Sequence, residues 1–265
     1  MNSRKMALSI LIFAAIASIL TATGCGNGGL GFITGSGKLE TSTFEYSDFT
    51  RLEVGSAFEV NVTRADSYSI SITADDNLFA YIEVEKSGDT LKIGMKGLRA
   101  YRNTTQNATV SLPDLRGLNL SGAVRGRVSG FSFSRPLSLG ASGASNLTLD
   151  DLKAGNTEFE ISGASKVSGS ITMADGKLDL SGASQVELKG SAANISIEAS
   201  GASGVKLDGL SVANANANLS GASNATVNAS GRLDVDLSGA SKFYYLGNPT
   251  LGDINTSGAS SISRK

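Results

Sequence analysis

From Leu118 onward, apolar and polar residues alternate in short runs that keep step with a recurring tetrapeptide. Ser-Gly-Ala-Ser begins at Ser142, Ser162, Ser181, Ser200, Ser220, Ser238 and Ser257, preceded by an altered copy, Ser121-Gly122-Ala123-Val124. Successive starts lie 18 to 21 residues apart. Three residues before each start stand Leu118, Leu139, Phe159, Leu178, Ile197, Ala217, Val235 and Ile254. One residue before it the column is again mostly apolar, from Leu120 and Ala141 to Leu219 and Leu237. The position between them is mostly polar: Asn119, Gly140, Glu160, Asp179, Glu198, Asn218, Asp236 and Asn255. Period-two alternation marks a strand with one buried face. Five residues after each start the column turns apolar again, with Leu147, Val167, Val186, Val205, Phe243 and Ile262.

Each repeat therefore reads as strand, Ser-Gly-Ala-Ser corner, strand and a variable return. A fixed period of this size marks a repeat architecture in which no unit buries its apolar face alone. About 19 residues at roughly 3.3 Å each close a loop near 63 Å around, and coils stacked at roughly 4.8 Å make a rod near 38 Å long. The expected fold is all-β: a parallel β-helix of about eight 19–20-residue coils, right-handed by the default for parallel crossovers. The Gly column suits a corner with positive φ or close backbone approach. The Ala column suits a tight inward position, and the Ser columns suit hydroxyl ladders and backbone caps at the corner. A leucine-rich repeat is set aside because its Leu-x-x-Leu-x-Leu frame and Asn or Cys ladder are not found in the chain.

Before the regular repeats the pattern weakens. Val54-Gly55-Ser56-Ala57-Phe58-Glu59-Val60 lines up with Leu180-Ser181-Gly182-Ala183-Ser184-Gln185-Val186, so a divergent early coil is expected there. Asp75 or Asp76 could cap a helical turn, and Ser87-Gly88-Asp89 joins two strand patterns as a hairpin. Residues 38–112 thus form a divergent β cap on a repeat helix of residues 113–265, the two making one continuous domain. Residues 25–37, opening on Gly26-Asn27-Gly28-Gly29, read as a flexible tether.

Residues 1–24 stand apart: Arg4 and Lys5, an apolar run from Met6 to Leu20, then Ala22-Thr23-Gly24 before Cys25, the chain's single cysteine. This is similar to a prokaryotic lipoprotein signal peptide. Acylation of Cys25, palmitate included, would make it the mature N-terminus and anchor the protein at the membrane or outer membrane, extracytoplasmically.

Composition narrows the chemistry. With 23 basic and 24 acidic residues and a net charge of −1, the chain has no electrostatic footprint for nucleic acid. It contains no His and no Trp, which removes Ser-His-Asp and Cys-His catalysis and His-based metal sites. Ser165-Lys166 and Ser241-Lys242 place their side chains on opposite faces of a strand, so no Ser-Lys pair forms. Glu160, Asp179 and Glu198 share one column, where like charges about 4.8 Å apart must splay into solvent or share a cation. The column lacks the calcium-repeat frame, so neither a metal site nor a cofactor is assigned. Tyr244 and Tyr245 are candidates for a carbohydrate-stacking patch or for a terminal cap.

Phe49-Thr50-Arg51-Leu52-Glu53-Val54, Phe58-Glu59-Val60-Asn61-Val62, Asp75-Asp76-Asn77-Leu78, Leu91-Lys92-Ile93, Leu112-Pro113-Asp114-Leu115 and the serial Ser-Gly-Ala-Ser resemble the putative auto-transporter adhesin head GIN domain family, over about residues 45 to 262. The resemblance implies an exported β-solenoid and carries no catalytic residues. The expected function is a non-enzymatic, lipid-anchored envelope module that binds a surface glycan or envelope protein. A structural envelope scaffold is the alternative, and a β-helix polysaccharide-active enzyme a more distant one.

Acylation has a direct consequence. Cys25→Ala should abolish incorporation of an alkyne-palmitate label and release the protein from the membrane fraction; label retained on the variant would refute modification at Cys25.

Overall fold

The computed structural model describes residues 32–97 and 99–265. Residues 1–24, expected to be a signal peptide, and Cys25 lie outside the described residues. Within them the chain is a parallel β-solenoid, with one 3-10 turn at Asp76–Leu78 and no α-helix. The eight corners from Ser121 to Ser257 bound about seven turns, one fewer than the number of tetrapeptides suggested.

Two strand segments build each turn. The leading segment runs into the corner, as in Leu137–Ala141, Thr157–Ile161 and Asp175–Leu180. The trailing segment leaves it, as in Asn146–Lys153 and Lys166–Thr172. Leading strands pair with leading strands, and trailing with trailing, always parallel. In the middle of the rod the return tightens until the trailing strand of one coil and the leading strand of the next form one bent strand, Gln185–Ala199 and then Gly204–Leu219. A short third side fills the return, with Ile171, Ala192, Leu210 and Val212 turned inward.

The register places like on like. Leu118, Leu139, Phe159, Leu178, Ile197, Ala217 and Val235 stack as one buried column. This burial supplies the main driving force for stacking, at roughly 25 cal/mol per Å² of apolar surface removed from water. Neighbours compensate for size. Gly126 stands where other coils place Leu or Val, and a Cβ there would lie 2.6 Å from the Leu120 side chain, which occupies that space.

The corner differs from its expected form in two respects. The Ala of each tetrapeptide is exposed, and it is the second Ser that points inward: Ser145, Ser184, Ser203, Ser223 and Ser241 have no exposed surface. The inward hydroxyls do not form a ladder. Each turns back on its own corner, Ser184 donating to the Ser181 carbonyl at 2.6 Å and Ser203 to the Ser200 carbonyl at 2.8 Å. A buried hydroxyl requires a partner, and a local carbonyl three residues back satisfies it without depending on the next coil. Between coils the corners are joined mainly by backbone, through Ala183 N–H to the Gly163 carbonyl at 2.8 Å and its equivalents up the rod, while near the capped end the Ser145 and Ser165 hydroxyls also accept the Val124 and Ser145 N–H groups of the neighbouring coil, at 3.3 and 3.2 Å.

The N-terminal end of the rod is closed by a change of strand direction. Arg51–Val54 and Glu59–Arg64 form a coil that pairs in parallel with Gly117–Leu120 and Arg125–Ser129. On its other side lie Thr90–Met95 and Gln106–Leu112, still parallel. Beyond these the strands reverse: Ile82–Ser87 makes the hairpin onto Thr90–Met95, Ser69–Asp75 runs antiparallel beside Gln106–Leu112, and Leu39–Phe44 reverses again on the outer side of Ser69–Asp75. The outward residues of Leu39–Phe44 are mainly polar, which covers an edge that would otherwise recruit other strands. Asp75 precedes the 3-10 turn without capping it; its carboxylate accepts the N–H groups of Gly37 and Thr105, each at 2.7 Å. Ile33–Thr34, within the stretch expected to be tether, pairs with Tyr101–Arg102.

Corner packing can be separated from corner conformation by two glycines. Gly182 has φ +75°, and a Cβ on it would lie 2.6 Å from the Gly163 carbonyl oxygen; Gly88 has φ +59° with open space around it. Gly88→Ala should cost about 1 kcal/mol for the left-handed conformation alone, whereas Gly182→Ala should cost on the order of 3 kcal/mol because backbone must also move. Equal shifts of the urea midpoint would contradict the packing account.

Candidate functional site

Along the middle of the rod the leading strands expose three largely polar columns, six, four and two residues before the corners. Because the coils stack in register, these columns leave two open grooves between and beside them.

The first groove is the larger, about 1150 Å³. It reaches from Arg51 and Arg116 at the capped end, past Arg135, Glu158 and Lys177, to Arg232 and Asp234. Along one wall runs a row of corner residues at minus six: Asn156, Asp175, Asn194 and Asn214. Three of these are tied across coils, Asn194 Nδ2 to Asp175 Oδ1 at 2.6 Å and Asn214 Nδ2 to Asn194 Oδ1 at 3.0 Å. The Asn214 Oδ1 then accepts the Arg232 backbone N–H at 2.8 Å. A short asparagine ladder is thus present, contrary to the expectation that none would be, and it sits at a second corner rather than at the tetrapeptide. Reading the column at minus six would have revealed it.

Lys177 and Arg232 are both engaged with acids. Lys177 donates to Asp179 at 2.7 Å and to Glu158 at 3.2 Å, and these hydrogen bonds hold its ammonium above the usual lysine range. Arg232 grips Asp234 with two nitrogens, at 2.7 and 2.6 Å, and reaches Asp253 at 3.1 Å. The Arg232 hydrogen bonds, followed by the Asp253 backbone N–H, hold Asp234 below the usual carboxylate range.

The second groove, about 700 Å³, runs beside the tetrapeptides and is lined by Glu160, Asp179, Glu198 and the first serines, Ser142 to Ser220. Here the structure does bring together the three carboxylate residues proposed from the sequence: Glu160 pairs with Asp179, and Asp179 with Glu198, on successive strands. The close like charges are relieved by Lys177, two residues away on the same strand, which pairs with the middle member. Among the described residues no group of three or more acidic side chains is arranged to hold a metal ion.

The two tyrosines are not brought together. They are consecutive on Lys242–Gly247: Tyr244 carries the Lys265 ammonium 5.4 Å from its ring centre, and Tyr245 packs against the core. Ser165 and Ser241 are buried while Lys166 and Lys242 face outward, so neither of these two serines pairs with its adjacent lysine.

Fold and grooves together define a parallel β-solenoid that presents one long, grooved polar face. The family model described as "putative auto-transporter adhesin, head GIN domain" matches residues 48–249, and the chain belongs to that family. No curated protein matches it in sequence. Solved structures share the fold. A putative lipid binding protein from Parabacteroides distasonis aligns over 89% of this chain and 100% of its own, at 21% identity and a TM-score of 0.81. A putative adhesin from Parabacteroides merdae aligns over 88% and 99%, at 18% identity and 0.82. A putative adhesin from Bacteroides fragilis covers 88% and 100%, at 21% identity and 0.68.

The Arg232–Asp234 pair gives a pH signature. A depressed folded-state pKa means that the stabilisation from ionised Asp234 is complete above the ordinary carboxylate value of about 4 and is lost as pH falls through the lower folded value. In a carboxyl NMR titration Asp234 should titrate below its free-peptide range, and Arg232→Gln should bring it back up. An unchanged midpoint in the variant would show that Arg232 is not the cause.

Proposed function

We propose that this protein is a non-catalytic, adhesin-like binding module at the cell surface, held to the membrane by lipid on Cys25, and that the first groove is its ligand face for a surface glycan. The supporting observation is the asparagine row. Asn194 and Asn214 each spend one donor and one acceptor on their neighbours across the coils. An amide offers two donors and two acceptor lone pairs, so each keeps one N–H and one lone pair for a ligand. Both side chains are exposed, and the ladder fixes their orientation before any ligand arrives, which lowers the ordering cost of binding. Hydroxyl-rich chains are suited to such donor–acceptor pairs repeated along a rigid surface. Membership of an adhesin-like family and the adhesin names of two neighbours favour the same reading. The lipid-binding name of the Parabacteroides distasonis neighbour points to a different ligand, for which the polar walls of this groove are less suited.

The test is binding of the detergent-solubilised full chain to a glycan panel and to intact cells. Saturable binding should fall at least about tenfold in Asn214→Trp, which fills the groove, and hold in Asn224→Trp, on the trailing face. Equal binding by both variants and wild type would remove the groove from the account.

A further inference from the structure

The capped end of the first groove differs electrostatically from the rest. Along the middle and far end every cation is matched: Lys177 with Glu158 and Asp179, Arg232 with Asp234 and Asp253. At the capped end three arginines on three consecutive coils, Arg51, Arg116 and Arg135, share two carboxylates. Asp114 serves both Arg116, at 3.5 Å, and Arg135, at 2.9 Å, and its side chain is only 16% exposed. Arg51 reaches Asp89 only at 3.5 Å and through Nε alone. Its Nη1 lies across Gly117, where a Cβ would come within 3.0 Å, so the missing side chain at 117 lets this guanidinium lie over the next coil. All three side chains are about half exposed, at 49%, 51% and 54%. Each guanidinium carries five N–H donors, and one contact to a shared acid leaves most of them free toward the groove.

Guanidinium is planar, permanently charged and geometrically matched to carboxylate and phosphate oxygens. A neutral glycan can accept these N–H groups through its hydroxyls but brings no negative charge to match the surplus. We infer that the ligand is an acidic glycan lying along the rod, its carboxylate- or phosphate-bearing unit seated on Arg51, Arg116 and Arg135 and its hydroxyl-bearing units on the Asn194 and Asn214 amides. This deepens, and rests on, the reading of the first groove as the ligand face. The groove crosses eight strand layers, so at roughly 4.8 Å per layer it runs about 34 Å. That length accommodates several sugar units of one extended chain and polarises it, with the anionic end toward the cap.

The probes are polygalacturonate, a phosphorylated mannan and neutral dextran, titrated into the detergent-solubilised full chain. Both acidic polymers should bind at least about tenfold more tightly than dextran, a margin expected for two or more charge-assisted contacts. Raising NaCl from about 0.05 to 0.5 M should erode that margin, because the arginines are solvent-accessible and screened. The two acidic polymers then separate a carboxylate requirement from a phosphate requirement. The triple variant Arg51→Gln, Arg116→Gln, Arg135→Gln should fall to the dextran level with an unchanged circular dichroism spectrum, and Arg→Lys at the same three positions should retain part of the preference. If acidic and neutral polymers bind equally and only Asn214→Trp abolishes binding, the anionic requirement is overturned while the groove reading stands. If no polymer binds and Asn214→Trp leaves attachment to cells unchanged, both are overturned.

Discussion

The structure depends on one close approach, the stacking of corner glycine on corner glycine. Every tetrapeptide turns through a positive-φ glycine, and from Gly163 to Gly258 the missing Cβ lets the carbonyl of the corner below sit directly against it. The same approach brings the following Ala N–H onto that carbonyl at 2.7 to 2.8 Å from one coil to the next. A single contact of this kind is worth little, about 1 kcal/mol net for a hydrogen bond. Its effect comes from repetition, because it sets the position of every coil relative to its neighbour at a fixed point. With the corner pinned, strand register follows, and with register the stacking of like residues both inside and outside the rod.

Inside, stacking like on like gives a continuous apolar column. Outside, it converts ordinary surface residues into rows. Asn194 beside Asn214, and Glu160 beside Asp179, are not sites within their own repeats; they become surfaces only because the same offset from the corner recurs. The protein also has to tolerate the like charges that repetition produces. Lys177 does so for the acidic row, and the arginines near the cap are only partly compensated, by Asp114 and Asp89.

The class of fold was legible in the sequence because its cause is local and repeated: alternation into and out of a glycine corner survives at every copy. The hairpin at Ser87-Gly88-Asp89 was readable for the same reason. The orientation of the tetrapeptide was not. Ala and Ser are both small enough for either side of a tight corner, and only the backbone path shows that the second Ser turns inward to its own carbonyl. The grooves were half legible. The column at minus two was noticed for its charge, whereas the asparagine ladder at minus six lies at the variable return, where coil lengths differ and columns lose alignment. The arginine end was hidden further: Arg116 and Arg135 are one coil apart, but Arg51 is far from both in sequence and joins them only because the chain passes through the cap between residues 65 and 116 before resuming the stack.

The account turns on which exterior row meets the ligand. The most direct measurement is NMR of asparagine side-chain amides during titration with polygalacturonate, with the chain isotope-labelled and its Asn resonances assigned by substitution. The account predicts that the Nδ2 signals of Asn194 and Asn214 shift saturably while those of Asn119 and Asn218, in the second groove, stay in place. Shifts confined to Asn119 and Asn218, or absent from all four while the polymer binds, would contradict it.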